Sequence, residues 1–197
     1  ADELDRVVLP FPSQEVDPYR GLAPHFRIAS ARARALHALA TGEARIVIAS
    51  ATALLPRVSA PAVLTGLALD LRAGNDVDTT TLATTLVDAG FTRTDPVDEH
   101  GEFCIRGGVI DIFPAGDDQP ARIELLGDTV ETIRRYDPGT QRSVGEIDRL
   151  HVVPLRERPD ASPAGENAHL NLVPFFDYLN RELTSPDDDG VREVSYP

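Results

Sequence analysis

The chain has 197 residues, 42% of them hydrophobic, and a formal net charge of −13; this length allows one ordinary domain or two small ones, and this composition excludes wholesale disorder. All 19 basic residues are Arg, Lys being absent, so the chain presents no basic stripe for nucleic-acid phosphates. No apolar run reaches membrane-spanning length, the acidic start ADELDRVVLP is no signal peptide, and the lone Cys104 cannot close an internal disulfide, which together predict a cytoplasmic chain with no membrane contact.

Three parts follow one another. In the first, residues 1–66, Asp5 to Leu9 reads as a short strand and PFPSQEVDPYRGLAPH as a Pro-rich loop. Ile28 to Ala40 has helical spacing, with Ile28, Arg32, Leu36 and Leu39 on one face and Gly42 as a stop. Ile46 to Ala49 is a continuous apolar run, as in a parallel strand covered on both faces. Ser50 then caps a short helix that Pro56 ends. Strand, helix and strand at this spacing predict α/β organisation.

The second part, residues 67–157, opens with LALDLRAG, a strand with Leu67, Leu69 and Leu71 on one face. DVDTTTLATTLVDAGF is a helix capped near Asp78 or Thr79 and stopped at Gly90, burying Leu82, Leu86 and Ala89. The segments FCIR, VIDIFP, ARIELL, TVETIRRYD and RLHVVPL are short strands, with LGDT a tight hairpin between the third and fourth. An α+β unit results, one helix on a mostly antiparallel sheet. The third part, residues 158–197, starts as the linker RPDASPAGEN; LVPFFDYLNREL is then a helix or strand, and SPDDDG a solvated loop.

Little of this carries catalysis. A phosphate-binding P-loop needs a lysine after its glycines, and there is none, so Gly107-Gly108 reads as a bulge or a close backbone approach within the sheet. His25, His37, His100, His151 and His169 lack paired zinc spacing, and no cofactor is implied. Cys104 reads as a buried structural thiol. Asp111, between Ile110 and Ile112, reads as an aspartate on the solvent face of an alternating strand. Arg134 and Arg135, near Glu131 and Asp137, read as an ion-paired surface. An unrelated hydrolase using Asp111, His100 or Cys104 is the competing enzymatic reading.

The stretch HGEFCIRGGVIDIFPAGDDQPARIELLGDTVETIRRYDPGTQRS resembles, almost word for word, the bacterial transcription-repair coupling factors, in the module similar to the DNA-repair excinuclease protein UvrB. DPYRGLAPHFRIASARARALHAL and ARIVIASATALLPRV extend the likeness to about residues 5–157. GEF ahead of IRGG, and DPGTQRS after the hairpin, fit the coupling factors better than UvrB itself, the alternative parent.

The resemblance implies that residues 1–66 are part of a degenerate helicase-like (RecA-like) lobe. Residues 67–157 would be an inserted domain binding the excinuclease protein UvrA, and residues 158–197 the return to the first lobe. The parent would be an ATP-driven DNA translocase acting at stalled RNA polymerase, and this chain, non-catalytic, would carry the recruiting step of nucleotide excision repair. Polymerase and DNA would be met only by other parts of the parent, whose C-terminal domain would mask the docking face at rest. The family's docking patch falls on Arg106, Arg122 and Leu126, the last often aromatic in the family, with Gly107 and Gly108 letting a partner come close. Alternation places Arg106 and Arg122 on the solvent face of neighbouring strands joined by PAGDDQP, as a small cationic spot whose removal leaves folding nearly unchanged.

Overall fold

The structure is a computed structural model, which describes residues 8–14, 25–157 and 172–181. Two large hydrophobic cores organise the described residues, beside a small cluster of Val97, Cys104 and Phe113. The first is built on a parallel pair, β1 (Val8–Phe11) and β2 (Ile46–Ala49), in register from Val8↔Ile46 to Phe11↔Ala49. Helix α1 (Phe26–Ala40) lies between them in the chain; the His25 side chain accepts from the Arg27 N–H at its start, and Gly42, at φ 69°, takes the left-handed turn that ends it. Short pieces follow: α2 (Ala51–Leu54), capped by the Ser50 hydroxyl, β3 (Val58–Ser59), and α3 (Pro61–Gly66), which starts on a proline.

Chain from beyond residue 171 completes this core. A short strand, Leu172–Val173, pairs antiparallel with β3, and the helix over Phe175–Arg181 lies against α1, where the buried Tyr178 hydroxyl donates to the Leu36 carbonyl. Leu9, Phe11, Leu36, Leu64, Val173 and Tyr178 are among the side chains sealed inside.

The second core lies under a sheet ordered β10-β9-β8-β7-β6-β5. Its strands are β5 (Thr92–Arg93), β6 (Glu102–Arg106), β7 (Val109–Ile112), β8 (Ala121–Leu126), β9 (Thr129–Tyr136) and β10 (Ser143–Glu146). All pairings are antiparallel except β5 with β6. Gly127, at φ 66°, makes the β8–β9 turn. Ile110, Ile123 and Ile133, aligned across three strands, share the core with Leu82 and Leu86 of α4 (Thr79–Asp88). The Asp78 carboxylate caps that helix by accepting from Thr80 and Thr81. A separate antiparallel pair, β4 (Leu69–Arg72) with β11 (Arg149–Val152), closes the core.

Several expectations change. The first strand runs on through Pro10 to Phe11, where the sequence predicts a loop, while residues 5–7 of that expected strand lie outside the described residues. Strand β2 is parallel but covered on one face only: Val47 packs against the first core, while Ile46 is 52% and Ile48 63% exposed. RLHVVPL joins β4 rather than the large sheet. Leu67 belongs to the end of α3 rather than to a strand. The segments DPYRGLAP, RPDASPAGEN and SPDDDG lie outside the described residues.

The two cores are joined by a buried ion pair. Arg32 sits on the buried face of α1 with Leu36, as the spacing predicts, and is fully buried with Glu157, which lies just beyond the second core. The guanidinium also donates to the Pro12 carbonyl at 2.6 Å and stacks 3.9 Å from the Phe11 ring. Such a pair contributes little net stability, because desolvation offsets the attraction, yet breaking it strands a charge. Arg32→Ala is therefore expected to cost about 3–5 kcal/mol in urea unfolding, whereas Arg32→Met with Glu157→Leu recovers most of the loss.

On the same helix His37, also buried, faces His151 of β11 with ring centroids 5.3 Å apart. Both His151 ring nitrogens are buried without a hydrogen-bond partner among the described residues. Burial first, then the His151 charge, holds His37 below its ordinary value of 6.5, with Glu43 partly opposing. The unfolded chain thus takes up this proton at higher pH than the folded one, so the His37 contribution is intact above 6.5 and lost as pH falls below it. Urea melts from pH 7.5 to 5 are expected to lose stability more steeply for the parent than for His37→Gln.

Candidate functional site

The face of the large sheet opposite α4 carries the residues that the sequence singles out. Register fixes them: Cys104, Asp111, Arg122 and Arg134 lie side by side across β6, β7, β8 and β9. Arg106 and Arg122 are thus on strands separated by β7, not on neighbours; PAGDDQP joins β7 to β8. What lies between the two arginines is Asp111, and it is 1% exposed, not on a solvent face.

Asp111 is held by both arginines. Arg122 donates from Nε to Oδ1 at 2.7 Å and from Nη2 to Oδ2 at 2.9 Å, a two-point contact. Arg106 Nη2 donates to the same Oδ2 at 2.9 Å, and its Nη1 donates to Asp95 Oδ1 at 2.8 Å. The Arg122 guanidinium also lies 4.7 Å from the Tyr136 ring and reaches Gln141 Oε1 at 3.3 Å. Its bonds to Asp111 raise the Arg122 pKa, so it is charged at every working pH. Burial, then the Asp111 charge, pushes the Tyr136 phenol up, which keeps it a neutral donor to the Val97 carbonyl at 3.0 Å.

The predicted cationic spot is therefore charge-balanced: Arg106 and Arg122 stand against Asp95 and Asp111. The Arg106 side chain is 47% exposed and the Arg122 side chain 22%. Around them, Arg134 pairs with Glu124 at 3.0 Å and Arg135 with Asp117 at 2.7 Å, an ion-paired surface as expected but with other partners than Glu131 and Asp137. Leu126, at the end of β8, is 73% exposed. Gly107, at φ 57° with open space around it, makes the β6–β7 turn. Gly108 does sit at a close backbone approach, but within the domain: a side chain there would meet the Leu125 carbonyl at 3.0 Å, and its own carbonyl accepts from Leu125 at 2.7 Å.

The candidates for catalysis are otherwise engaged. Both Asp111 oxygens are taken by guanidinium donors, Cys104 is packed against Val97 and Phe113, and His100 Nε2 is bonded to the Asp117 carbonyl at 2.9 Å. Among the described residues, no three His, Cys, Asp or Glu side chains gather as a metal ion would require. Nor is any helix among them long and apolar enough to cross a membrane. Sequence reasoning missed Asp95 and Tyr136. The signal available was the run DPV before GEFCIR, which places an acid beside Arg106 once β5 and β6 are paired in parallel.

This outer face belongs to a UvrB interaction domain, the family that residues 69–157 match. Over most of its length the chain is homologous to the transcription-repair-coupling factors. It is 32% identical over 162 residues to that of Escherichia coli (strain K12), covering 82% of this chain and 14% of the relative. To the factor of Myxococcus xanthus it is 35% identical over 165 residues, again 82% and 14%. With that of Bacillus subtilis (strain 168) it shares 34% over 158 residues, 78% and 13%. The chain thus spans about one seventh of the length of these curated relatives.

The geometry revises the expectation that alanine leaves folding nearly unchanged for Arg122, though not for Arg106. Arg122→Ala removes two of the three donors to a buried carboxylate. It is expected to lower stability by about 2–3 kcal/mol in urea melts, while the more exposed Arg106→Ala costs about 1 kcal/mol.

Proposed function

We propose that this chain recruits the excinuclease protein UvrA to sites where transcription has stalled, and that Arg106, Arg122 and Leu126 are the residues that dock it. The observation carrying this reading is that a UvrB interaction domain presents two guanidinium groups oriented by one buried carboxylate. Planar arginine forks give directional bonds to acceptors on a partner and stay charged in an interface. Exposed Leu126 adds apolar area at the Gly107–Gly108 end of the sheet, where the open turn leaves room for approach.

On this reading residues 1–66 with 158–197 are part of a degenerate helicase-like lobe, into which residues 67–157 are inserted. The chain needs no cofactor and catalyses nothing itself. Translocation on DNA, ATP hydrolysis and polymerase contact belong to the rest of a longer parent, and the parent's C-terminal domain covers the docking face at rest. Absence of lysine from the whole chain supports the non-catalytic part, since a P-loop without its lysine cannot hold the terminal phosphates.

Calorimetric titration with UvrA tests the docking patch. Arg106→Ala is expected to weaken binding by about 2 kcal/mol or more, as at interface hot spots, with an unchanged circular dichroism spectrum. Leu126→Ala should weaken it less, lacking aromatic bulk. A folded Arg106→Ala chain that binds like the parent overturns the assignment.

A further inference from the structure

The docking reading leaves a chemical difficulty. A partner carboxylate approaching Arg106 meets a guanidinium already shared between two carboxylates, in a cluster with no net charge on a chain of net charge −13. The two acids are not equivalent. Asp111 is 1% exposed and accepts from both arginines, so it cannot leave without stranding a buried charge. Asp95 has a half-exposed side chain and pairs with Arg106 at 2.8 Å. An exposed pair of that kind is weakly held and readily exchanged.

We propose that Asp95 is an internal stand-in for the partner: it occupies Arg106 in the free chain and is displaced by an acceptor group of UvrA on docking, while Asp111 keeps its grip and preserves the arginine's orientation. This rests on the docking reading above. The position of Asp95 is built rather than accidental. It follows β5, whose parallel register with β6 brings it alongside Arg106, and the Thr94 N–H is anchored on the Phe103 carbonyl at 3.0 Å. Two residues on, Val97 is buried and its carbonyl accepts from the Tyr136 hydroxyl, on the same ring that supports Arg122. The segment bearing Asp95 is therefore pinned to the site at both ends, while the carboxylate itself is half open to solvent. Asp95 sets a threshold: only an acceptor that pairs with Arg106 better than Asp95 does will dock, which discriminates against weak or poorly placed anions.

Binding to UvrA is measured for the parent, Asp95→Asn, Arg106→Ala and the double variant. Asp95→Asn keeps the size of the side chain and removes its charge, and it is expected to tighten binding about two- to fivefold, the span of an exposed ion pair. In the Arg106→Ala background the same substitution is expected to change nothing, because the competition runs through Arg106. Equal or weaker binding by Asp95→Asn overturns the proposal. So does tightening that persists without Arg106, which would be general relief of negative charge. If Arg106→Ala alone binds like the parent, it is the docking reading that has failed.

Discussion

The outer face of the large sheet is organised by the desolvated carboxylate of Asp111. A charge excluded from water must be met by donors, and here three charge-assisted bonds from two arginines meet it. Much else follows. Arg122 is drawn onto the Tyr136 ring, and the buried phenol must find an acceptor and takes the Val97 carbonyl. Gln141, held at φ 58°, reaches the same carbonyl and the same arginine. The loops after β5 and β9 are thus fixed around a single buried charge, and Arg106 is left half exposed beside it.

A second buried charge does comparable work between the two cores. Arg32 and Glu157 are 125 residues apart, and their pairing ties the long helix of the first core to the point where the chain leaves the second. In both places an arginine is the cation. Its planar, delocalised charge is more weakly hydrated than an ammonium and supplies several donors in one plane, so it tolerates burial where lysine would not. A chain whose basic residues are all arginine is well suited to this construction.

The strands and helices of residues 67–157 are legible because alternation and helical spacing are local signals. Leu82, Leu86 and Ala89 form the buried stripe expected of α4, and Asp78 caps it. Arg32 is legible as a member of a buried face, though not its partner, which lies 125 residues away. Asp111 escapes the sequence for a definite reason. Alternation states which face of a strand a residue occupies, not whether that face is wet. Here the segments around Val97 and Gln141 close in beside it, and neither is near Asp111 in sequence. β2 fails in the opposite sense: its apolar run reads as enclosed, yet Ile46 and Ile48 are largely exposed. The residues proposed to dock a partner come from likeness to a family, and the spatial relation of Arg106 and Arg122, with β7 between them, requires the strand order.

The two cores also differ in when they can exist. The large sheet is a meander from β6 to β10, each strand paired with the one made just before it, so its contacts close over short loops. The first core has no such independence, since Val173, Phe175 and Tyr178 are part of its interior. In a chain synthesised from its N-terminus, the earliest segments must therefore wait for some of the latest described ones. The sheet domain can be complete while the core that precedes it is still open.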